Sequence, residues 1–226
     1  MPEPARVPRS AGVAGLAFAA LFVASLVLLR THPEPNATAQ EIARFYRDHE
    51  AGDLVLVGLY LVPFSGIAFL WFIAAIRQRV GEQEDRFFAT VFLGSGLLFV
   101  AMLFAAAAAA AAPVAASRFQ DAPPPGAGEV GLARSLAHTL LYVYAVRAAA
   151  VFIIVTSTIG RRTGTIPRWL VALGYAGALV LLLSISFLQA IVLIFPAWVV
   201  AISVLILTAT ADGRPPPSAV AQLDHA

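Results

Sequence analysis

The chain has 226 residues and a formal net charge of +2; 60% of its residues are hydrophobic, 12% are charged, and its mean hydropathy is +0.82. Since a soluble core of this size needs far fewer apolar side chains, this composition predicts a membrane protein and gives no indication of nucleic-acid binding. The chain contains no cysteine and all 15 of its basic residues are arginine, which excludes disulfides, thiolate metal sites and lysine Schiff-base chemistry.

Apolar runs of about eighteen or more residues recur along the chain, and each is long enough to cross about 30 Å of hydrocarbon as a helix. We predict an all-α, polytopic bundle of six transmembrane helices over residues 11–210, after a cytoplasmic leader at 1–10 and before a disordered cytoplasmic tail at 211–226. The predicted spans are about 11–29, 54–76, 87–112, 136–159, 169–186 and 190–207. The turn between the last two spans must be very tight, so five helices with one long or re-entrant final segment is the alternative.

Prolines and small residues inside the spans indicate how the helices bend and pack. Pro63 in the second span and Pro196 in the last each remove one backbone donor, so we predict helix kinks at both positions. The third span contains Gly94, Ser95 and Gly96 and ends in an alanine tract. Small residues let helices approach closely in lipid, so the second and third helices are predicted to form the packed centre.

The placement of arginines predicts the orientation, because short cytoplasmic loops retain positive charge. With six helices and the N-terminus inside, nine arginines lie in cytoplasmic segments and five in exterior ones. The arginine-only, alanine-rich usage is typical of a GC-rich bacterial genome. We therefore predict a protein of the bacterial cytoplasmic (inner) membrane with both termini in the cytoplasm.

Two exterior segments differ in pattern. Thr38 and Glu41 form a capping box, which predicts a short amphipathic helix over about 39–50 that lies with its apolar face on the membrane surface. The second segment, 113–134, contains three consecutive prolines at 123–125. It is predicted to be an extended, poorly ordered linker.

One charge, Arg147, lies inside the fourth span near its predicted midplane. An intramembrane charge costs about 2.5–3.5 kcal/mol, so it must face protein or water. Tyr144 and Thr158 share its helical face, and the functional interpretation is a substrate path along these three residues, with flexibility at Pro63 and Pro196. The alternative is a structural anchor, in which the guanidinium bonds free carbonyls near those prolines or extends to the membrane surface.

Other candidate sites are weaker, and each has a structural interpretation that is favoured. His138 stands alone near the exterior end of its span, which favours a rim residue over a haem or metal ligand. Ser65 and Ser95 sit beside glycines as in intramembrane serine proteases, but no histidine lies deep in any span, which favours packing. The acidic cluster at 48–53 is typical of a solvated helix end. We therefore predict no catalytic residues, no metal and no cofactor, and a protein that is not an enzyme.

The arginine leader, the segment Thr38-Ala-Gln-Glu-Ile-Ala-Arg-Phe-Tyr46 and the Arg161-Arg162 loop resemble uncharacterised multi-pass membrane proteins of high-GC actinobacteria. The resemblance implies fold and location only. Two functions stay open: a small transporter or channel-like protein that uses the Arg147 face, and a non-catalytic scaffold that presents the exterior helix to a protein or to lipid. The expected partners are the lipid bilayer and a second copy of the chain.

Overall fold

The structure, a computed structural model, describes residues 9–30, 38–80, 86–119, 123–184 and 189–211. Most of these residues are helical and none of them is in a strand, which confirms the all-α prediction. The helices are α1 (Arg9–Leu29), α2 (Ala39–Arg47), α3 (His49–Val80), α4 (Arg86–Phe119), α5 (Ala127–His138), α6 (Val146–Thr163), α7 (Arg168–Leu183) and α8 (Ile194–Ala211). A π-helical segment, Thr139–Ala145, joins α5 to α6, and a 3-10 turn, Gln189–Leu193, precedes α8. Most of the predicted leader and nearly all of the predicted tail lie outside the described residues.

Among the described residues, five helical segments are long and apolar enough to cross a membrane, as expected of a membrane protein. They are Arg9–Leu29, Glu50–Arg77, Phe87–Phe119, Ala127–Thr163 and Ala190–Ala209. The remaining predicted span corresponds to α7, which has 16 residues. At 1.5 Å per residue α7 is about 24 Å long, shorter than the hydrocarbon core of about 30 Å. The final apolar stretch is nevertheless two separate helices, since α7 ends at Leu183 and the next helical turn begins at Gln189.

Phenylalanine rings from five helices meet in the centre of the bundle. The ring of Phe69 on α3 lies 4.7 Å from that of Phe18, 5.5 Å from Phe99, 5.2 Å from Phe152 and 5.4 Å from Phe195, measured between centroids. All five rings are buried. Their tilted and edge-on arrangements are those that aromatic quadrupoles favour. The core therefore forms around one α3 ring, with α1, α4, α6 and α8 arranged about it.

Small residues bring helices close together at some of the predicted positions. A Cβ on Gly96 would lie 2.4 Å from Ile73 Cδ1, whereas one on Gly94 would meet nothing within 4 Å. The hydroxyls of Ser65 and Ser95 donate to the carbonyls of Phe18 and Phe92, at 3.4 and 3.1 Å. Both serines are therefore part of the helix packing, as the sequence favours. Among the described helices, α1 and α3 have the most extensive contact, so α1 belongs to the packed centre as well.

The prediction of an extended linker at 113–134 is wrong. Pro113 lies inside α4, which continues to Phe119, and α5 begins again at Ala127. The long alanine run before Pro113 favours the helix strongly enough to carry it past the missing donor. At the start of α5, the Glu129 carboxylate accepts a hydrogen bond from the Gly126 backbone N–H at 3.0 Å. The described loop is thus only the stretch 123–126.

The two prolines predicted to kink helices have different settings. Pro63 lies in the middle of α3, which continues through it without a break. Pro196 is the third residue of α8. It lies in the first turn of α8, directly after the 3-10 turn Gln189–Leu193 and inside the apolar span Ala190–Ala209, so the kink expected there stays a prediction.

The capping box predicted at the start of α2 is confirmed. The Glu41 N–H donates to Thr38 Oγ1 at 3.3 Å, and the Thr38 N–H donates to Glu41 Oε2 at 2.7 Å. The predicted helix over 39–50 is interrupted, because α2 ends at Arg47 and α3 begins at His49. Asp48 between them has extended backbone and accepts the Glu50 N–H on its side chain at 3.0 Å.

The apolar face of α2 packs on the protein and not on a membrane surface, which corrects the sequence-based expectation. Ile42 is 7% exposed. Phe45 and Tyr46 pack against a buried cluster of α3 and α4 residues, Val55, Ala111 and Val114. An amphipathic pattern shows that one face is covered but does not show by what.

The capping box makes the first turn of α2 sensitive to acid. The hydrogen bonds from Thr38 hold the pKa of Glu41 below its ordinary value of 4.5. Because the folded state then binds fewer protons than the unfolded one, this stabilisation is present above pH 4.5 and is lost as the pH falls through the lowered pKa. We expect amide hydrogen exchange in the first turn of α2, corrected for the intrinsic rate, to accelerate in acid. Glu41→Gln should abolish the pH dependence, and equal acid sensitivity in both proteins would contradict this account.

Candidate functional site

Arg147 is held by two backbone carbonyls. Its Nη1 donates to the Tyr142 carbonyl, and its Nη2 donates to the Ser184 carbonyl at 2.8 Å. Tyr142 lies in the π-helical segment and Ser184 caps the C-terminus of α7, two places where carbonyls lack their usual α-helical partners. The C-terminal end of a helix also carries partial negative charge, which favours a cation. The surroundings of Arg147 match the anchor interpretation, with carbonyls other than those near the two prolines.

Tyr144 and Thr158, the other two predicted path residues, are not among the hydrogen-bond partners described for Arg147. The Tyr144 side chain is 54% exposed on the outer surface of the bundle. The Thr158 hydroxyl lies 2.8 Å from the Tyr175 hydroxyl and donates to the Ile154 carbonyl at 2.8 Å. The π-helical segment changes the register between residue 144 and α6, so the shared face expected of a regular α-helix does not extend through it.

A cavity of about 490 Å³ lies at the end of the bundle where α1 ends and α2 begins, here called the α2 end. It is bordered by α1, α2, α3, α4, α5 and the π-helical segment. Its deeper wall is apolar and includes Phe22, Leu26, Val62 and Leu103. Its volume falls within the range of about 300–1,000 Å³ that is usual for small-molecule sites.

The alanine tract of α4 accounts for much of this space. Ala106, Ala107 and Ala110 line the cavity, whereas Ala108 on the same tract is exposed on the outer surface. Larger side chains at the three lining positions would project into the cavity. The tract was predicted to allow close helix packing, but at these three positions it borders an open cavity.

The rim of the cavity is polar and cationic. Arg30, Arg134 and His138 line it, together with two tyrosines, and none of the described residues that line it is acidic. Arg30 donates to the Tyr142 hydroxyl. The His138 ring stacks on the Tyr142 ring with centroids 4.5 Å apart, so this histidine is a rim residue, as the sequence favours. The rim thus combines two guanidinium groups with two aromatic hydroxyls.

Tyr46 of α2 brings a buried polar atom to the same rim. Its hydroxyl is buried and has no hydrogen-bond partner among the residues that the structure describes. Burial raises the pKa of Tyr46 to about 12, although the positive charge of Arg134 opposes the rise. The phenol is therefore neutral at physiological pH and has a proton to donate. An unsatisfied buried hydroxyl costs about 1–3 kcal/mol, which a ligand oxygen would recover.

The acidic cluster at 48–53 has a structural role where it is described. The Asp53 carboxylate lies 3.9 Å from an Arg118 guanidinium nitrogen, and Arg118 also donates to the Asp48 carbonyl at 3.3 Å. Within the described ranges, no three histidine, cysteine, aspartate or glutamate side chains are grouped as metal ligands would be. These contacts tie the start of α3 to the end of α4.

Comparisons with protein-family models, with curated proteins and with solved structures give no match for this chain. The resemblance to actinobacterial membrane proteins therefore stays a prediction. The cavity, with its apolar wall and cationic rim, is the feature from which a function can be inferred.

Proposed function

We propose that this membrane protein binds an amphiphile with a single aliphatic chain in the cavity at the α2 end. The observation that carries the proposal is the division of the cavity into an apolar deeper wall and a polar rim. The aliphatic chain contacts Phe22, Leu26 and the α4 alanines, and the polar end lies among the rim residues. A volume of about 490 Å³ has room for one chain and a head group, but not for a two-chain phospholipid.

The depth of the cavity supports this orientation. Phe22 and Arg30 both line it. Phe22 lies in α1, and Arg30 is eight residues further along the chain. At 1.5 Å per residue they are separated by about 12 Å along the helix axis. Phe22 lies within the apolar span of α1, and Arg30 directly follows the end of that span. A bound amphiphile would thus have its chain at hydrocarbon depth and its head at the membrane surface, as in a lipid leaflet.

This proposal is favoured over both functions considered from the sequence. A path along Arg147 would need its guanidinium to meet a substrate, whereas carbonyls of the π-helical segment and of α7 already accept from it. A scaffold would need α2 to present its apolar face, which instead packs on α3 and α4. Transport of the bound amphiphile between leaflets would be a further step and needs a second opening.

Filling the cavity tests the proposal. We expect Ala110→Phe to reduce saturable binding of a dodecyl-chain probe by at least about tenfold, because the new ring occupies the space of the chain. The full-length protein in lipid nanodiscs would be titrated with a radiolabelled probe. Ala108→Phe is the matched control: it makes the same substitution two residues away, on the exposed side of α4, and should bind as the unaltered protein does.

The thermal unfolding midpoints of both variants would show that they are folded. Equal saturable binding by the unaltered protein, Ala110→Phe and Ala108→Phe would mean that the probe sits elsewhere, and it would overturn the proposal.

A further inference from the structure

The charged residues at the rim indicate the chemical class of the head group that the cavity binds. We propose that the cavity selects anionic amphiphiles, with a carboxylate or phosphate head held by Arg30, Arg134 and the Tyr46 hydroxyl. This inference rests on the proposed function, since it assigns a chemical class to the ligand of the same cavity.

The first argument is charge. Two guanidinium groups line the rim, and within the described ranges no carboxylate lines it. Arg30 donates to the hydroxyl of Tyr142, which also lines the cavity, so this bond holds the guanidinium at the rim. Guanidinium groups match the geometry of carboxylate and phosphate oxygens, and such charge-assisted bonds are stronger than neutral ones.

The second argument is the buried Tyr46 hydroxyl, which has no partner among the described residues. It lines the same rim, close enough to Arg134 to be affected by its charge. A neutral hydroxyl beside a cation is a suitable donor to an oxyanion, which would give the buried hydroxyl a hydrogen-bond partner.

The composition of the rim also argues against other head groups. A cationic head would face two guanidinium groups and, in the described part of the lining, no carboxylate. A sugar head would require several neutral donors and acceptors, but no asparagine or glutamine is among the described residues that line the cavity. Ser25, which does line it, donates to the Leu21 carbonyl at 2.7 Å.

The test compares probes that share one chain and differ in the head. Dodecanoate, dodecyl phosphate and the uncharged dodecyl maltoside would be titrated at pH 8 into the full-length protein in zwitterionic nanodiscs at fixed salt. We expect the two anionic probes to bind about tenfold or more tightly than the neutral one, once partition into empty nanodiscs is subtracted. Inorganic phosphate at millimolar concentration should not displace them, because it lacks the chain.

Substitutions identify the groups responsible. Arg30→Gln combined with Arg134→Gln should reduce the preference for anionic probes to about twofold or less. Arg44→Gln is the control: it removes one exposed positive charge from α2, outside the cavity, and should keep the preference. Tyr46→Phe removes the hydroxyl at constant charge, and we expect it to weaken anionic binding about three- to tenfold with little effect on the neutral probe.

The outcomes separate the two proposals. If anionic and neutral probes bind equally well and Ala110→Phe still blocks both, the anionic class is wrong and the binding function stands. Displacement by inorganic phosphate would show that the site takes a free anion and not an amphiphile. If no probe binds saturably, the proposed function fails and this inference fails with it.

Discussion

Phe69→Ala is expected to lower the free energy of unfolding by about 2–4 kcal/mol. In soluble cores phenylalanine-to-alanine substitutions cost about 3–5 kcal/mol, through lost transfer energy and through the cavity left behind. In a membrane the transfer part is smaller, because lipid is as apolar as the protein interior. The packing part remains, since the Phe69 ring contacts rings from four other helices. Unfolding of the purified protein by dodecyl sulfate in mixed micelles would measure the change.

Phe64→Ala provides the matched control for Phe69→Ala. Phe64 lies on the same helix, five residues away, and its side chain is 60% exposed. We expect a change below about 0.5 kcal/mol there, as for surface substitutions in general. Equal destabilisation by the two substitutions would mean that the central rings do not organise the bundle.

Arg147→Met is expected to lower the free energy of unfolding by about 2–3 kcal/mol. It leaves the carbonyls of Tyr142 and Ser184 without their charged donor, and bonds of this kind contribute about 1.5–3 kcal/mol each. Removal of a charge from an apolar span recovers part of that loss. Hydrogen exchange should also accelerate at the C-terminal end of α7, where Ser184 is the cap.

Arg161→Met removes an exposed arginine from the last turn of α6, and we expect it to change the stability little. The Arg147→Met protein should bind the dodecyl probes normally, because Arg147 does not line the cavity. Unchanged stability together with lost ligand binding would refute the anchor role and would support the interpretation of Arg147 as part of a substrate path.

The positions of the helices follow from the sequence because lipid imposes simple physical limits. A helix needs about twenty apolar residues to cross hydrocarbon, so long apolar runs identify spans directly. The capping box of Thr38 and Glu41 was also predictable from the sequence, since it depends only on two residues three positions apart. The extension of α4 beyond Pro113 could not be predicted in this way, because the effect of a proline on a helix depends on the residues around it.

The candidate site was only partly predictable. Arg147 was identified because it is a single charge in an apolar run. Its hydrogen-bond partners could not be predicted, because they depend on where α7 ends and on a π-helical segment that no residue pattern predicts. The cavity joins residues from six elements far apart in sequence. Its signals were present, in an alanine tract within one span and arginines near the ends of others, but the sequence does not show that they meet.

The π-helical segment has a consequence for how the cavity could change between related chains. From Ala127 to Thr163 the helix is continuous, and Thr139–Ala145 interrupts its α-helical register. A π-helical turn closes with one more residue than an α-helical turn. Because the wide turn absorbs one extra residue, loss of one codon in this stretch would restore the α-helical register with α5 still facing the same way relative to α6. Arg134 and His138 would then stay at the rim, whereas Tyr142 lies in the altered segment, so one deletion could change the middle of the rim within an unchanged fold.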